Sequence, residues 1–542
     1  MSEPGRGAAA AGHPEEVAAA LRILSEGGNA VDAAIAGAFC ACVVEPNNAG
    51  LAGYGHLTAW LPGEQRFLTV DHGPRAPAAA TPDLFQLAGD APSPLEWPDV
   101  VGGASDRGAL ATGVPGAVSG LCAAHARAGR LPLAQLLEPA IELAAAGHVV
   151  EWYLSLVALE CLDEIRRYPE AAEHLLRAGD PPAVGQRLDN AALAETLRRI
   201  AREGSDGFHR GPVADAIARE VAAAGGILTA ADIAAYAPRV VLEAPTAYRG
   251  RLLSTAEDDV GHLVYGLLSR FDLPSLEPGS ADALHLIAEV FGHAFADAVT
   301  WSGDPAAEPA LSAALRSEAY AVARARAIDP ARAAARPVAP GSPLGDDRPA
   351  GSGGSRGTTQ VAVADADGGM AVVITTIGQD FGGLVWVPEA GVMVNSAMSN
   401  FDPRPGRVNS IAPGRMPLFG VPATIAVEDG RAVLACGGSG GYRILSSVVH
   451  ATVNVLDHGM CAGDAVRAPR VWCQGAQAFV DARIDPAVRD ELARRGHEIV
   501  VEELSPAGEP FARVSLVTAD AAGALGAASD PIWHGASAAV SG

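Results

Sequence analysis

The sequence predicts an α+β fold in which stacked β-sheets are covered by helices, because hairpins alternate with helical segments in both halves of the chain. Residues 359–363 and 370–376 have strand-like patterns around a turn at 365–369, which predicts a core hairpin. Residues 14–26 carry an amphipathic stripe that ends at Gly27, and residues 29–44 form an apolar, alanine-rich run. Both runs predict helices, and the second helix is expected to be buried.

The other predicted elements follow in order along the chain. A strand pair is expected at 56–61 and 66–71, on either side of a turn that contains Pro62 and Gly63. The middle of the chain has a helical period, with expected helices at 133–146, 189–202, 213–224, 282–300 and 311–327. The later expected elements are a hairpin at 423–427 and 432–436, helices at 442–457 and 485–495, and strands at 498–502 and 513–518.

Composition limits the class of protein. The chain has 542 residues, 49% hydrophobic but only 5% aromatic, so aliphatic side chains must build its core. Its net charge of −24 argues against nucleic acid and anionic membranes as partners, because both attract clustered cations. Every basic residue is arginine, and the seven cysteines are scattered without a CxxC pair. With no apolar signal core and no membrane-spanning run in the sequence, we expect a cytoplasmic protein with reduced thiols.

The junction of Gly357 and Thr358 is the main candidate for chemistry. Residues 328–357 are rich in Ala, Pro, Gly, Arg and Ser without a hydrophobic period, which predicts a flexible linker directly before the core hairpin. We interpret the bond between Gly357 and Thr358 as a cleavage point that divides the chain into a large subunit, 1–357, and a small subunit, 358–542. The alternative interpretation is an ordinary Thr-Thr pair at the start of a strand.

A threonine at the start of a chain can act as a nucleophile because it carries its own base. Its α-amine has an unperturbed pKa of about 7.7–8.0, close to neutrality, and can take the proton of the hydroxyl. To free that amine, the Thr358 hydroxyl would attack the preceding carbonyl, and water would release the resulting ester. Glycine at position 357 suits such an attack, because it tolerates a strained backbone.

Several sequence motifs occur in one order along the chain. They are GGNAVDAA at 27–34, VEP at 44–46, TGVPG at 112–116, GGILTAADIAAY at 225–236, AFAD at 294–297, GDP at 303–305, TTQ at 358–360, GGSGGYRI at 437–444 and ASDP at 528–531. These motifs resemble those of the gamma-glutamyltransferase family of N-terminal-nucleophile hydrolases. The resemblance spans nearly the whole chain.

The resemblance implies a fold and a set of catalytic residues. The fold is a four-layer αββα sandwich that the two cleavage products build jointly. Thr358 takes the place of the nucleophile, and Thr376 that of a threonine that hydrogen-bonds it. Gly440 and Gly441 take the place of the glycines whose backbone N–H groups stabilise an oxyanion. A tight turn or a phosphate cradle is the alternative for residues 437–441, although the lysine of a nucleotide-binding loop is missing.

The expected substrate pocket departs from the family pattern. Gly378 takes the place of a substrate-binding asparagine, Asn400 that of an aspartate, and Ala397 that of a glutamine. Phe419 and Gly420 replace a pair of serines. In the family, an arginine binds the α-carboxylate of a glutamyl group, and its position falls at Gly73 here. Arg75 lies two residues along and either binds an anion or is merely solvated. We take the substrate-binding candidates to be Arg75, Gly378, Asn400, Phe419 and Gly420.

The sequence thus predicts a self-cleaving N-terminal-threonine hydrolase or acyltransferase that acts through an acyl-enzyme on a small molecule other than glutathione. Alternatives are hydrolysis of a small amide such as oxamate, a carbon–carbon bond hydrolase of an alkylproline-type antibiotic pathway, a true gamma-glutamyltransferase, or an inactive, uncleaved scaffold. We expect no cofactor and no metal, because His56, His72, His262, His293, His450 and His534 have no ligand spacing, and the acidic run 257–259 suits a solvated loop. The expected partners are the substrate and the two subunits of one precursor.

Overall fold

The computed structural model describes residues 7–91, 96–256, 258–345, 357–418, 420, 422–441, 443–505, 511–533 and 535–540. The helices in these ranges are α1 (Pro14–Ser25), α2 (Ala30–Val44), α3 (Ala117–Ala128), α4 (Leu133–Ala146), α5 (Trp152–Glu160), α6 (Leu162–Ile165), α7 (Pro169–Leu175), α8 (Ala191–Glu203), α9 (Asp206–His209), α10 (Pro212–Ala223), α11 (Ala230–Ala235), α12 (Asp259–Leu268), α13 (Ala281–Trp301), α14 (Pro309–Leu315), α15 (Glu318–Ala325), α16 (Arg443–Leu456), α17 (Ala462–Arg467) and α18 (Pro486–Arg494). Within the described part of the chain, none of these helices has the length and apolarity of a bilayer-crossing segment.

The strands belong to two large sheets and three small ones. In chain order they are β1 (Gly7–Ala11), β2 (Tyr54–Leu61), β3 (Arg66–His72), β4 (His148–Val149), β5 (Arg187–Leu188), β6 (Arg239–Glu243), β7 (Thr246–Tyr248), β8 (Arg251–Ser254), β9 (Gly357–Asp365), β10 (Met370–Gly378), β11 (Trp386–Val387), β12 (Val392–Met393), β13 (Thr424–Glu428), β14 (Arg431–Ser439), β15 (Val471–Gln474), β16 (Gln477–Asp481), β17 (Glu498–Glu502), β18 (Arg513–Ala519), β19 (Leu525–Ser529) and β20 (Ala536–Val540).

The larger sheet has the order β20-β1-β9-β10-β2-β3-β6, with antiparallel neighbours throughout. The predicted hairpin of β9 and β10 therefore lies near the centre of this sheet. The second sheet has the order β19-β18-β14-β13-β8-β7 and is also antiparallel. Both large sheets contain strands from before and after residue 357: β1 lies between β20 and β9 in the larger sheet, and β8 pairs with β13 in the second, so neither half of the chain builds a large sheet alone.

The two faces of β9 contact different layers of the fold. Ala362 and Ala364 belong to an apolar cluster that contains residues of the second sheet, including Leu434 and Leu516. Val361, whose side chain points the other way, belongs to a cluster with the residues of α1 and α2. The sheets therefore pack on each other, and helices cover the larger sheet on its other face.

Helix α2 packs closely on the larger sheet because its residues are small. A Cβ atom placed on Gly37 would lie 2.9 Å from Val361 Cγ1, closer than packed carbon atoms approach. The helix begins where the sequence predicts, because Asn29 and Asp32 form a capping box in which each side chain accepts from the other's backbone N–H. Helix α2 ends at Val44, immediately before Glu45.

Several elements differ from the sequence-based predictions, among them a split helix and two strands of the larger sheet. The helix expected at 311–327 is two helices, α14 and α15, because the Ser317 hydroxyl accepts from Tyr320 N and caps a new helix there. Strands β1 and β20 were not predicted. Residues 8–11 are four consecutive alanines, all buried, so they show no alternation that would mark a strand.

Part of the segment predicted as a flexible linker is fixed on α13. Arg336 Nη2 lies 2.6 Å from Glu289 Oε1, and Gly341 N donates to Asp297 Oδ1 at 2.6 Å. Trp301 Nε1 donates to Gly341 O at 2.8 Å. These bonds hold residues 336–341 against one helix, and residues 346–356 lie outside the described ranges.

We expect Arg336→Gln to destabilise the protein by about 3–5 kcal/mol, because Glu289 is fully buried and would lose its cation. Arg332→Gln is the matched control, since Arg332 is exposed. The measurement is thermal unfolding of both variants beside the wild type. Equal melting temperatures for the two variants would contradict the assignment of Arg336 as an anchor.

Candidate active site

Thr358 is the second residue of β9, so it lies at one end of this central strand. It pairs with Thr376 on β10 and is only 2% exposed. Beyond Thr376 the pairing shifts across a β-bulge, and Gly378 then pairs with Gly357. Bulges of this kind redirect side chains and are common beside active sites.

The carbonyl before Thr358 is held by the Thr376 side chain. The Thr376 hydroxyl donates to Gly357 O in a short hydrogen bond, and it accepts from Gly378 N at 2.9 Å. A hydroxyl that donates to a carbonyl oxygen stabilises the negative charge that this oxygen gains when its carbon is attacked. The arrangement is therefore suited to attack at the carbonyl of the bond between Gly357 and Thr358.

Glycine is required at position 357 by close approach of the backbone. A Cβ atom there would lie 2.7 Å from Asn47 O and 3.0 Å from Gln379 O. Contacts this short would force the loop after α2 or the loop after β10 to move. The structure thus gives a steric reason for the glycine, beside the tolerance of strain proposed from the sequence.

Gly440 and Gly441 lie between β14 and α16 and have positive φ angles of 129° and 64°. Left-handed backbone of this kind favours glycine. A Cβ atom on Gly440 would also lie 2.9 Å from Ala512 Cα. The two glycines therefore make a sharp turn that side chains would block, immediately after Ser439.

Arg513 connects this turn to Thr358. The Arg513 side chain is buried, donates from Nη2 to Thr358 O at 2.9 Å and donates from Nε to Ser439 Oγ at 2.7 Å. Its Nη1 lies 3.5 Å from Glu45 Oε1, and its guanidinium stacks over the Tyr153 ring at 5.0 Å. One cation therefore joins both sheets and the end of α2.

Two buried carboxyl groups lie behind Arg513. Glu45 accepts from Asn48 Nδ2 at 3.0 Å and is 2% exposed. Glu16, on α1, is fully buried, and this burial, together with the neighbouring Glu45, raises the pKa of Glu16 well above its usual value. Glu16 therefore favours its protonated form more than an exposed glutamate does, and Glu45 is the carboxyl group of this cluster that pairs with Arg513.

The candidate substrate-binding residues occupy different positions around the site. Asn400 Nδ2 donates to the hydroxyl of Tyr54 at 2.9 Å, and Tyr54 pairs with Thr376 across the sheet. Gly378 has φ 93°, and a Cβ atom there would lie 2.4 Å from Ser396 Oγ. Asn400 and Gly378 are thus near Thr358, and the Asn400 amide is already engaged by the protein.

Arg75 and Gly420 each lie beside an acidic side chain. Arg75 Nη1 lies 3.3 Å from Asp304 Oδ2, the aspartate of the GDP motif, so it is neither a free cation nor merely solvated. A Cβ atom on Gly420 would lie 4.0 Å from Asp258 Oδ1. Burial raises the pKa of Asp258 to about 7. Phe419 lies outside the described residues.

The cluster of Arg513, Glu45 and Glu16 was not predicted from the sequence. Glu45 gave a local signal, because it directly follows α2, whose only charged residue is Asp32, but this signal gave no link to Arg513 or Glu16 in separate segments of the chain. A separate buried group was missed as well. His285 Nδ1 lies 2.8 Å from His497 Nε2, and Glu289 is close to both, but the Arg336 guanidinium already neutralises Glu289. We interpret this group as a structural contact.

The chain is similar in sequence to known proteins over most of its length. The family model described as gamma-glutamyltranspeptidase matches residues 17–540. The acylase ACY 1 proenzyme of Pseudomonas sp. strain SE83 is 37% identical over 503 residues, which are 91% of this chain and 87% of the relative. The glutathione hydrolase proenzyme of Escherichia coli K12 is 31% identical over 503 residues, 89% of this chain and 83% of the relative.

Two solved structures are similar to this chain over different shares of its length. The cephalosporin acylase of Bacillus halodurans has a TM-score of 0.87 at 27% identity, covering 99% of this chain and 96% of that one. The gamma-glutamyltranspeptidase of Helicobacter pylori has a TM-score of 0.55 at 28% identity, covering 59% of this chain and 91% of that one. The expectation of an N-terminal-nucleophile type of fold with mixed helices and sheets is confirmed.

The raised pKa of Glu16 predicts a pH effect on stability. The unfolded carboxyl titrates near pH 4.3, so above this pH the folded protein holds a proton that the unfolded chain has lost. This contribution makes stability fall as pH rises, until the folded pKa is passed. Glu16→Gln removes this pH-dependent contribution. The difference between the melting temperature of the variant and that of the wild type should therefore increase from pH 4 upward. The exposed Glu15→Gln is the control, and parallel pH curves for Glu16→Gln and the wild type would contradict the assignment.

Proposed function

The chain belongs to the gamma-glutamyltranspeptidase family, and we propose that it is a self-cleaving N-terminal-threonine acylase whose substrate is not glutathione. Its relatives are acylases and glutathione hydrolases, so it is an enzyme of the N-terminal-nucleophile hydrolase type. The observation that carries the proposal is the position of Thr358 directly behind a carbonyl to which the Thr376 hydroxyl donates. In this proposal the four-layer αββα sandwich is formed jointly by residues 1–357 and 358–542.

Maturation would proceed at this carbonyl. Thr358 Oγ1 attacks the carbonyl carbon of Gly357, and the Thr376 hydroxyl stabilises the oxyanion that forms on Gly357 O. The C–N bond breaks as the nitrogen of Thr358 takes a proton, which leaves Gly357 as an ester on the threonine side chain. Water hydrolyses this ester, and the products are the Gly357 carboxylate and a free α-amine on Thr358.

Catalysis would then use the freed amine as the base. It takes the proton of the Thr358 hydroxyl as Oγ1 attacks the substrate carbonyl, and it returns this proton to the leaving amine. The backbone N–H groups of Gly440 and Gly441 are our candidates for holding the oxyanion. Their support is the link through Ser439 and Arg513 to Thr358 O. Water, or an acceptor amine, resolves the acyl-enzyme.

The surroundings of Thr358 support a substrate without a glutamyl head group. A protein binds an α-amino group with a carboxylate and an α-carboxylate group with a free cation. Each hydrogen bond to such a charged group contributes about 1.5–3 kcal/mol to binding. Here Asn400 bonds to Tyr54 and Arg75 is paired with Asp304, while positions 378 and 397 are Gly and Ala. The names of the acylase relatives point in the same direction, toward the hydrolysis of an acyl amide.

We expect the purified, denatured wild type to consist of two fragments, residues 1–357 and 358–542, when its intact mass is measured. Thr358→Ala should stay whole, because it lacks the attacking hydroxyl. Thr359→Ala is the matched control and should be cut, since the Thr359 hydroxyl has no hydrogen-bond partner among the described residues. A wild type that remains one chain would refute the proposal and favour the uncleaved scaffold.

The substrate class is tested with the mature enzyme. A panel of acyl amides with and without the α-amino and α-carboxylate groups of glutamate is offered, with glutathione included. We expect turnover of amides that lack these groups and at least about tenfold lower kcat/KM for glutathione. Preferred turnover of glutathione would identify a true glutathione hydrolase. Product analysis shows whether the bond cut is carbon–nitrogen or carbon–carbon.

Thr376→Val should slow self-cleavage by about 100- to 1000-fold, because it removes the donor to the Gly357 oxyanion. Thr375→Val is a closely matched control. Thr375 is the preceding residue on β10, is equally buried, and its hydroxyl has no hydrogen-bond partner within the described ranges. The measurement is the fraction of cut chain against time after synthesis. Equal rates for the two variants would exclude the role given to Thr376.

A further inference from the structure

We propose that Arg513 keeps the α-amine of mature Thr358 uncharged near pH 7, so that this amine can serve as the base. The inference rests on the proposed function, because this amine exists only after the bond behind Gly357 is cut. Arg513 does not touch the reacting atoms and is therefore a positioning residue, which acts through its charge.

The distance between the two groups is short. Arg513 Nη2 lies 2.9 Å from Thr358 O, and the nitrogen and oxygen of one residue are separated by only two intervening atoms. The guanidinium is therefore within about 6.5 Å of the α-nitrogen, from standard backbone dimensions. A like charge at this range disfavours protonation of an amine. Because arginine stays protonated at all physiological pH values, this effect does not switch off.

The negative partner of Arg513 lies on the opposite face of the strand. A Cβ atom on Gly12 would lie 2.5 Å from Thr359 Oγ1 and 2.9 Å from Glu45 Oε2, so Glu45 is beside Thr359. Successive side chains point to opposite faces of a strand, and Thr358 faces the second sheet. The cation is thus positioned on the Thr358 carbonyl, and its counter-ion is on the far face, toward the helices.

The other ionisable groups around this end of β9 lie on α1 and beside the loop after β10, where Arg107 Nη1 donates to Asp380 O at 2.6 Å. Burial raises the pKa of Glu16 on α1 well above its usual value, and His13 caps α1 with its Nδ1 atom. On the loop after β10, Asp380 follows Gln379, whose Nε2 donates to Asp106 Oδ1 at 2.9 Å. At this end, β1, β10 and β14 contribute only uncharged residues, among them Thr376 and Ser439. In the described ranges, Arg513 is the cation bound directly to Thr358.

The effect matters because a free α-amine is mostly protonated at pH 7. With its usual pKa of about 7.7–8.0, only a minority of molecules would hold the base form. A shift of about one unit downward, the low end of what a neighbouring charge produces, brings the amine to half-neutralisation near pH 7. Burial of Thr358 acts in the same direction, so the variants below must separate charge from burial.

The sequence makes a direct titration possible. The chain contains no lysine, so the α-amine of Thr358 is the only amine in residues 358–542. Mature protein is acetylated with limiting acetic anhydride at a series of pH values, and hydroxylamine then removes any ester on a hydroxyl. The amide that remains on the small fragment is quantified by mass. Its yield against pH gives the pKa of this one amine without a substrate.

The expected wild-type pKa is about one unit below that of a free α-amine. Arg513→Met should raise it by at least about one unit, because Glu45 is then left without its cation. Arg513→Lys keeps the charge and should stay near the wild type; because it adds a second amine to the small fragment, the acetylated position in this variant is located by peptide mass mapping. Glu45→Gln should lower the pKa further. Shifts of opposite sign in the Arg513 and Glu45 variants are expected of a charge effect, whereas a loosened site would shift both in one direction.

The acid limb of kcat/KM against pH should follow the same order, since it reports the free enzyme's base. A wild-type amine pKa at or above 8 overturns the inference, and so does an unchanged pKa in Arg513→Met. If Arg513→Met does not fold, the wild-type value and the direction of the Glu45→Gln shift decide the question. Intact mass is recorded first, because a wild type that is not cut contradicts the proposed function, whereas a cut protein with an ordinary amine contradicts only this inference.

Discussion

The pairing of β9 with β10 is the constraint on which the rest of the site depends. It brings Thr376 opposite Thr358 and places the Thr376 hydroxyl on the carbonyl of Gly357. Because β9 is buried on both faces, a shift of one residue in this register would exchange the side chains that face the second sheet with those that face α1 and α2. The fold therefore protects the geometry of the candidate nucleophile with the same interactions that hold its core.

Small residues make this arrangement possible. Aromatic residues are scarce, and glycine stands at close approaches, as at Gly37 under the Val361 side chain and at Gly357 beside Asn47 O. Close approach lets carbonyl and N–H groups, rather than long side chains, form the walls around Thr358. Arg513 and Glu45 are buried beside this site as a pair and so avoid the cost of an isolated ion.

The sequence was informative where local pattern and chemistry agree. Helices α1 and α2, the β9–β10 hairpin and the position of Thr358 could all be predicted, because caps, periodicity and turn residues are local signals. Strand β1 could not, since four buried alanines carry no alternation, and its neighbours β9 and β20 are more than 300 residues away along the chain. The Arg513 cluster was missed for the same reason: its members come from three separated segments, and only the fold brings them together.

The order of strands has a consequence for how the protein unfolds. Strand β1 lies between β20 and β9, and β8 is paired with β13, so segments from each side of residue 357 are interleaved. Two fragments whose strands pair in the same sheets would have no separate folded forms, so they could not dissociate on dilution without unfolding. Once cut, the protein would unfold into two molecules instead of one, and its stability would become dependent on its own concentration, as in an obligate heterodimer. A single covalent bond, broken in an otherwise unchanged structure, would thus change the molecularity of unfolding.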